Sequence, residues 1–161
     1  MDDYRLEAKS PEDSAIEMVE LVLPNDANVL GNVLGGRVMH WIDLAAATAA
    51  HLHCRSICVT AAIEGLSFLN PIKVGQLARL SARVVFTGRT SLITRVVVSA
   101  EDMDTGERKL TSEAYLTFVN LGRDGKPKLV PPLKLLTDED RRENERARLI
   151  RDRQPAYNRE K

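Results

Sequence analysis

The sequence has few of the residues that build disulfide scaffolds, base-stacking platforms or membrane spans. Its only cysteines are Cys54 and Cys58, too few and too close together for a disulfide framework, so buried reduced thiols are expected. Aromatic residues make up 4% of the chain, which counts against a surface that stacks nucleic-acid bases and leaves the core to aliphatic side chains. Neither sign of charge prevails, with 23 Lys and Arg against 23 Asp and Glu. No overall field therefore gathers nucleic acid or anionic lipid, and any anionic ligand must be held locally. No apolar run has the length of a membrane span, and the start MDDYRLEAKSPEDS is acidic and polar rather than signal-like. A cytoplasmic protein without nucleic-acid or membrane partners is expected. Cys54 with His51 or His53 is compressed on a helix end and matches no standard zinc spacing, so no metal is expected.

A length of 161 residues suits one domain with a sizeable core. IEMVELVL, residues 16–23, reads as a first strand, and PNDANVLGN supplies the Pro, Asn, Asp and Gly of a structured loop. GGRVMHWIDLAAATAAHLHC, from Gly35, is helical, with Val38, Ile42, Ala45, Ala46, Ala49 and Leu52 at helical offsets. Its alanines let the axis approach a neighbouring surface, so it is expected against a curved sheet. ICVTAAI, then EGLSFLN, QLARLSARVVFTG, SLITRVVVSAED and ERKLTSEAYLTFVNL read as strands separated by turns such as TGRTS and DMDTG. In the last strand Leu110, Ala114, Leu116 and Phe118 alternate with Thr111, Glu113, Tyr115 and Thr117, which predicts one packed and one partly polar face. The order contains no repeated strand and helix units, so the expected class is α+β: one long helix against an antiparallel sheet. TDEDRRENERARLIRDR predicts a C-terminal helix capped by Thr137 with Asp140 at the capping-box position. Ala147, Leu149 and Ile150 are too few to organise a core, so it reads as a solvated appendage or a subunit seam.

Chemistry concentrates where the long helix begins. Gly31, Gly35 and Gly36 surround that point, where free amides can hold the negative charge that develops on a carbonyl oxygen, although tight-loop glycines need no such role. Asp43 lies two turns further on within WIDLAAATAA, where a carboxylate is costly unless hydrogen-bonded, solvated by a cleft or used in chemistry. Asn28 and Asn32 supply neutral donors nearby. A polar cluster beside an aliphatic tunnel suits hydrolysis of a hydrophobic ester or thioester, with Asp43 as base or nucleophile. No Ser lies in a GxSxG context. His40 is three residues before Asp43, giving either a hydrogen-bonded pair or an incidental polar stripe; His51 and His53 read as helix-end residues whose charged forms suit a C-terminus.

LPNDANVLGNVLGGRVMHWIDLAAATAA closely resembles the acyl-CoA thioesterases of the hot-dog fold, and the resemblance extends through VTAAIEGLSFLNPIKVGQLARLSARVVFTGRTSLITRVVV and EAYLTFVNLGRDGKPKLVPPL. It implies a hot-dog domain over residues 16–133, a long central helix wrapped by a curved antiparallel sheet, between a polar segment 1–15 and a charged C-terminal helix and tail 134–161. By that resemblance Asp43 matches the catalytic carboxylate, Asn28 and Asn32 lie in the loop that faces it, and Gly35 or Gly36 presents the oxyanion-holding amide. It further implies a site shared between two subunits, so that a homodimer is the catalytic unit, joined further into a hexamer. Coenzyme A is part of the substrate and no separate cofactor is implied. Candidates for its phosphates and arm are Arg89 with Thr90 and Ser91 in TGRTS, then Arg55, Arg37 and Lys73. The expected activity is hydrolysis of acyl-CoA to free fatty acid and coenzyme A. Two alternatives are a non-catalytic acyl-CoA binding or sensing protein, and a hydroxyacyl thioester dehydratase using His40 with Asp43.

Overall fold

The computed structural model describes residues 6–154. Five strands, β1 (Ile16–Leu21), β2 (Ile57–Phe68), β3 (Leu77–Thr87), β4 (Ser91–Glu101) and β5 (Arg108–Leu121), form one antiparallel sheet in the order β1-β3-β4-β5-β2. Helices α1 (Pro11–Ser14), α2 (Gly35–Cys54) and α3 (Asp138–Arg153) complete the fold. Tight turns dictate the central pairings. Gly88 N–H donates to the Ser91 carbonyl between β3 and β4, and the Asp102 carboxylate accepts the amides of Asp104 and Thr105 between β4 and β5. The chain crosses from β1 at one edge to β2 at the other through α2. The stretches ICVTAAI and EGLSFLN, read as separate strands, are one: register shifts between Thr60 and Ala62 and between Glu64 and Ser67 bend β2 without ending it.

Val38, Trp41, Ile42, Ala45, Ala46, Ala49 and Ala50 face the sheet along α2 and are buried. Leu52 does not belong to that stripe; it is half-buried, and His53 takes the inward position. Leu80, Val84, Leu92, Val96, Leu116 and Phe118 rise from the sheet to fill the volume that the alanines leave. The helix ends because Arg55 adopts a left-handed conformation (φ 52°), from which its N–H bonds the His51 carbonyl.

The other face of the sheet is more covered than the β5 alternation suggested. Tyr115 and Thr117 are buried, and Leu110 is exposed. The reason is α3, which lies on that face instead of standing in solvent. Ala147 packs with Val85, Phe86, Ile93 and Tyr115, and Asn144 Nδ2 donates to the Val85 carbonyl at 2.9 Å. Leu149 stays exposed. Charged pairs supply what the few apolar residues do not. Arg83 pairs with Asp140, and Arg95 pairs with Glu143 at 2.7 Å and Glu113 at 3.0 Å. Asp140 and Glu143 are 4% and 5% exposed, so these pairs are largely shielded from water. Asp140 also accepts the Leu136 and Thr137 amides while its own N–H donates to Thr137 Oγ1, which closes the capping box. Replacing Asp140 with Ala takes from Arg83 its shortest ion pair, leaving the longer ones to Glu143 at 3.5 Å and the exposed Glu12 at 3.4 Å, and uncaps α3. It is expected to destabilise the protein by about 3 kcal/mol; denaturant unfolding measures it, and a loss of a few tenths refutes the role given to the pair.

The segment 1–15 is not simply a polar lead. Residues 1–5 lie outside the described residues. Beyond them, Lys9 bridges to Leu133 and donates through Nζ to the His53 carbonyl, and Ser14 of α1 is buried. The first-strand side of the domain and the chain after β5 are thereby fastened together.

Candidate functional site

The loop leading to α2 is built by its own asparagine. Asn28 Oδ1 accepts the Leu30 and Asn32 amides at 2.9 and 3.2 Å, and the Asn28 N–H donates to the Asn32 carbonyl at 2.8 Å. Its side-chain carbonyl is committed to the turn, which leaves the Asn28 amide group as the available donor. Gly31 (φ 78°) makes the reversal possible. Asp26 fastens the loop to the helix: its carbonyl accepts Leu34 N–H at 2.9 Å and its carboxylate pairs with Arg37 at 3.2 Å. Arg37, read as a coenzyme A contact, therefore already has a partner.

Leu34 caps α2 with no side-chain bond, and the amides of Gly35 and Gly36 donate to no group of the described chain. Free N–H groups at the positive end of a 20-residue helix are able to attract negative charge. A Cβ on Gly35 would stand 3.5 Å from the Phe68 ring, in contact without clash, and Gly36 opens to free space. Beside Gly35 is a crevice of about 370 Å³ with an apolar lining that includes Val33, Val38, Phe68 and Ile72.

Asp43 is half-buried on the flank of α2 next to β2, about 12 Å along the helix from Gly35 at 1.5 Å per residue. Thr60 Oγ1 donates to its Oδ1 at 2.7 Å. Thr60 escaped sequence reasoning because it lies 17 residues away on a strand whose approach to the helix only the tertiary fold creates. The bond fixes one carboxylate oxygen, and the other has no hydrogen-bond partner among the described residues. His40 makes no hydrogen bond to Asp43; it lines an open recess with Leu34, Gly36 and Arg37. The His40–Asp43 pair of the dehydratase reading is thus absent.

The cationic candidates fall into two groups within one chain. Lys73 bridges to Asn32, so Lys73 and Arg37 lie at the start of α2. Arg55 follows its last residue, and the Arg89, Thr90, Ser91 turn is at that same far end, since Ser91 pairs across Val119 to Val59 near the beginning of β2. Arg89 and Arg55 have exposed side chains with no ion-pair partner among the described residues, and the Arg89 and Thr90 carbonyls accept from Val130 and Asn120.

His53 differs from expectation. It is fully buried, its Nε2 lies 2.8 Å from the Pro131 carbonyl, and burial pushes its pKa below the ordinary value. It is held neutral, not charged. Its stabilising contribution is complete above the unfolded value of about 6.5 and declines as pH falls from there toward the lower folded value, where the unfolded state binds the extra proton. The melting temperature should therefore drop between pH 7 and pH 5, and His53→Gln should flatten that drop; an unchanged slope contradicts the assignment. Cys54 is buried and Cys58 half-buried, both as free thiols; the Cys58 contact and burial push the Cys54 thiol up. Among the described residues no group of His, Cys, Asp and Glu is arranged to hold a metal, and no helix is long and apolar enough to cross a membrane.

One long helix seated against a single antiparallel sheet, with free amides at its start and a carboxylate on its flank, defines a hot-dog protein of the thioesterase type. The profile of the thioesterase superfamily matches residues 30–107. An uncharacterized acyl-CoA thioester hydrolase of Bacillus subtilis is 35% identical over 83% of this chain and 78% of its own length. The mouse cytosolic acyl coenzyme A thioester hydrolase is also 35% identical, over 80% of this chain, but the chain spans only 36% of that protein. A crystal structure of an apo-hexameric acyl-CoA thioesterase superposes with a TM-score of 0.87 at 39% identity, covering 91% of this chain and 94% of the other. The chain belongs to the acyl-CoA thioester hydrolase family of the thioesterase superfamily.

Proposed function

We propose that this protein hydrolyses acyl-CoA thioesters to a fatty acid and coenzyme A at a site shared by two copies of the chain. The observation that carries the reading is the pairing of an oriented carboxylate, Asp43 held by Thr60, with a helix start whose Gly35 and Gly36 amides have no acceptor. The relatives named above as acyl-CoA thioester hydrolases support the substrate class.

Within one chain the described residues of the loop share no hydrogen bond with Asp43. The second copy is argued from the sheet. β2 is an outer edge strand, and Ile57, Val59 and Phe68 on it and Met39 and Leu44 on α2 are exposed apolar residues. An isolated edge with such residues invites pairing. A two-fold axis between two such edges sets them antiparallel, which brings the start of α2 of one protomer beside the far end of α2 of the other. The Asn28 loop and Gly35 and Gly36 of one protomer then face Asp43 and Thr60 of its partner, and Arg55 with the Arg89, Thr90, Ser91 turn approaches the same crevice to meet the coenzyme A phosphates. Further assembly into a hexamer is supported by the apo-hexameric relative.

The thioester oxygen rests on the Gly35 and Gly36 amides, which oppose its developing charge. Asp43 accepts a proton from water, and the oxygen of that water bonds to the carbonyl carbon. Collapse of the tetrahedral species breaks the carbon–sulfur bond, and the proton held by Asp43 goes to the departing thiolate. Coenzyme A enters and leaves as part of the substrate and product, and no added cofactor takes part. Release of free thiol from a panel of acyl-CoAs of increasing length tests the activity, and its absence at every length refutes it. Single turnover in ¹⁸O-water separates base from nucleophile: label confined to the product acid supports the base, whereas label in the Asp43 carboxylate shows an anhydride.

A further inference from the structure

Ser112 sits on the inner face of β5, 1% exposed, and its hydroxyl has no hydrogen-bond partner. Buried hydroxyls are almost always bonded, because one left unpaired has lost water without compensation. Its neighbour Thr111 is satisfied, donating to the Val98 carbonyl at 2.9 Å. Ser112 instead borders the crevice beside Gly35. Further along the same face of β5 the residues are Ala114, Leu116 and Phe118, all buried and apolar. On this row the unpaired hydroxyl stands where β5 meets the crevice; the buried hydroxyls of Thr94 and Ser14 also have no partner, but neither residue borders that crevice.

Position relates it to the reacting carbonyl. Phe68 pairs in register with Ser112 and lies against Gly35 on its other side, so roughly one side chain separates the oxyanion-holding amide from the hydroxyl. Asn70 borders the same space; its Nδ2 donates to the Leu110 carbonyl, which leaves its side-chain oxygen as an acceptor. The lining includes no charged residue, so an acyl group ending in a carboxylate would be desolvated there without a partner.

We propose that Ser112 determines specificity in this crevice, selecting acyl groups that carry a neutral oxygen, hydroxyl or oxo, a few carbons from the thioester over hydrocarbon groups of the same size. The inference rests on the hydrolytic reading for its substrate and on the crevice for its selectivity. A site that hydrogen-bonds a substrate hydroxyl rejects the analogue lacking it, since its own group is then left unpaired.

The probes are 3-hydroxybutyryl-CoA and isovaleryl-CoA, in which a methyl replaces the hydroxyl. Wild-type protein is expected to show a kcat/KM ratio favouring the hydroxy substrate by about fivefold to tenfold, the size of one net hydrogen bond. In Ser112→Ala the ratio is expected to fall to about one. A wild-type preference for the methyl compound, or a ratio that Ser112→Ala leaves unchanged, overturns the proposal. Calorimetric affinities for the two ketone analogues, with methylene in place of the thioester sulfur, separate the two readings. If neither thioester is cleaved the hydrolytic reading fails, and a hydroxyl preference in binding that Ser112→Ala removes still supports the role of Ser112, whereas an unaltered preference overturns it.

Discussion

Replacing Asp43 with Ala is expected to lower kcat for thioester hydrolysis by about three orders of magnitude, the range of a positioned acid–base group. The melting temperature and the oligomeric state should stay unchanged. Asp43 is half-buried and bonded to one hydroxyl, so its removal strands no buried charge and opens no core cavity. KM should change little, because the carboxylate acts on water and not on the bound acyl group. Asp43→Asn should lose nearly as much, since an amide keeps the Thr60 contact but accepts no proton. Thr60→Ala should lose about tenfold in kcat, because it orients the carboxylate without touching substrate. Steady-state thiol release reads all three, and an Asp43→Ala enzyme within tenfold of wild type would end the role assigned to this residue.

Mixing two inactive variants is expected to restore activity. Asn28→Asp removes the free amide donor while keeping the oxygen that accepts Leu30 and Asn32 N–H, so the loop retains its shape. In a hybrid of this variant with Asp43→Ala, one of the two shared sites contains an intact loop facing an intact carboxylate, and the other contains neither. Random reassociation makes about half of the dimers hybrid, so recovery should approach about a quarter of wild-type activity. A site complete within one chain predicts no recovery at all. Thiol release after co-denaturation and refolding, with each variant refolded alone as the control, decides between them.

Much of this was legible without coordinates. The helical spacing of Val38, Ile42, Ala45, Ala46 and Ala49 predicted the buried stripe of α2, and Thr137 with Asp140 predicted the cap of α3. These depend on contacts within a few residues, which local sequence records. The apparent break between ICVTAAI and EGLSFLN misled because a bulge and a strand end share the same small and polar residues. The burial of α3 was missed for a different reason. Its charges read as solvated, yet Asp140 and Glu143 are balanced by Arg83 and Arg95 from strands more than 40 residues away.

By itself the sequence determined the class of fold, the position of the long helix and the presence of one carboxylate within its apolar run, because hydrophobic period, turn chemistry and one misplaced charge are all local quantities. The tertiary structure alone decided that Thr60 meets Asp43, that Arg37 is spent on Asp26, that His53 is neutral and that Ser112, its hydroxyl unpaired, borders a crevice. Each depends on groups far apart in the chain arriving at the same place, and on how much water remains between them once they have.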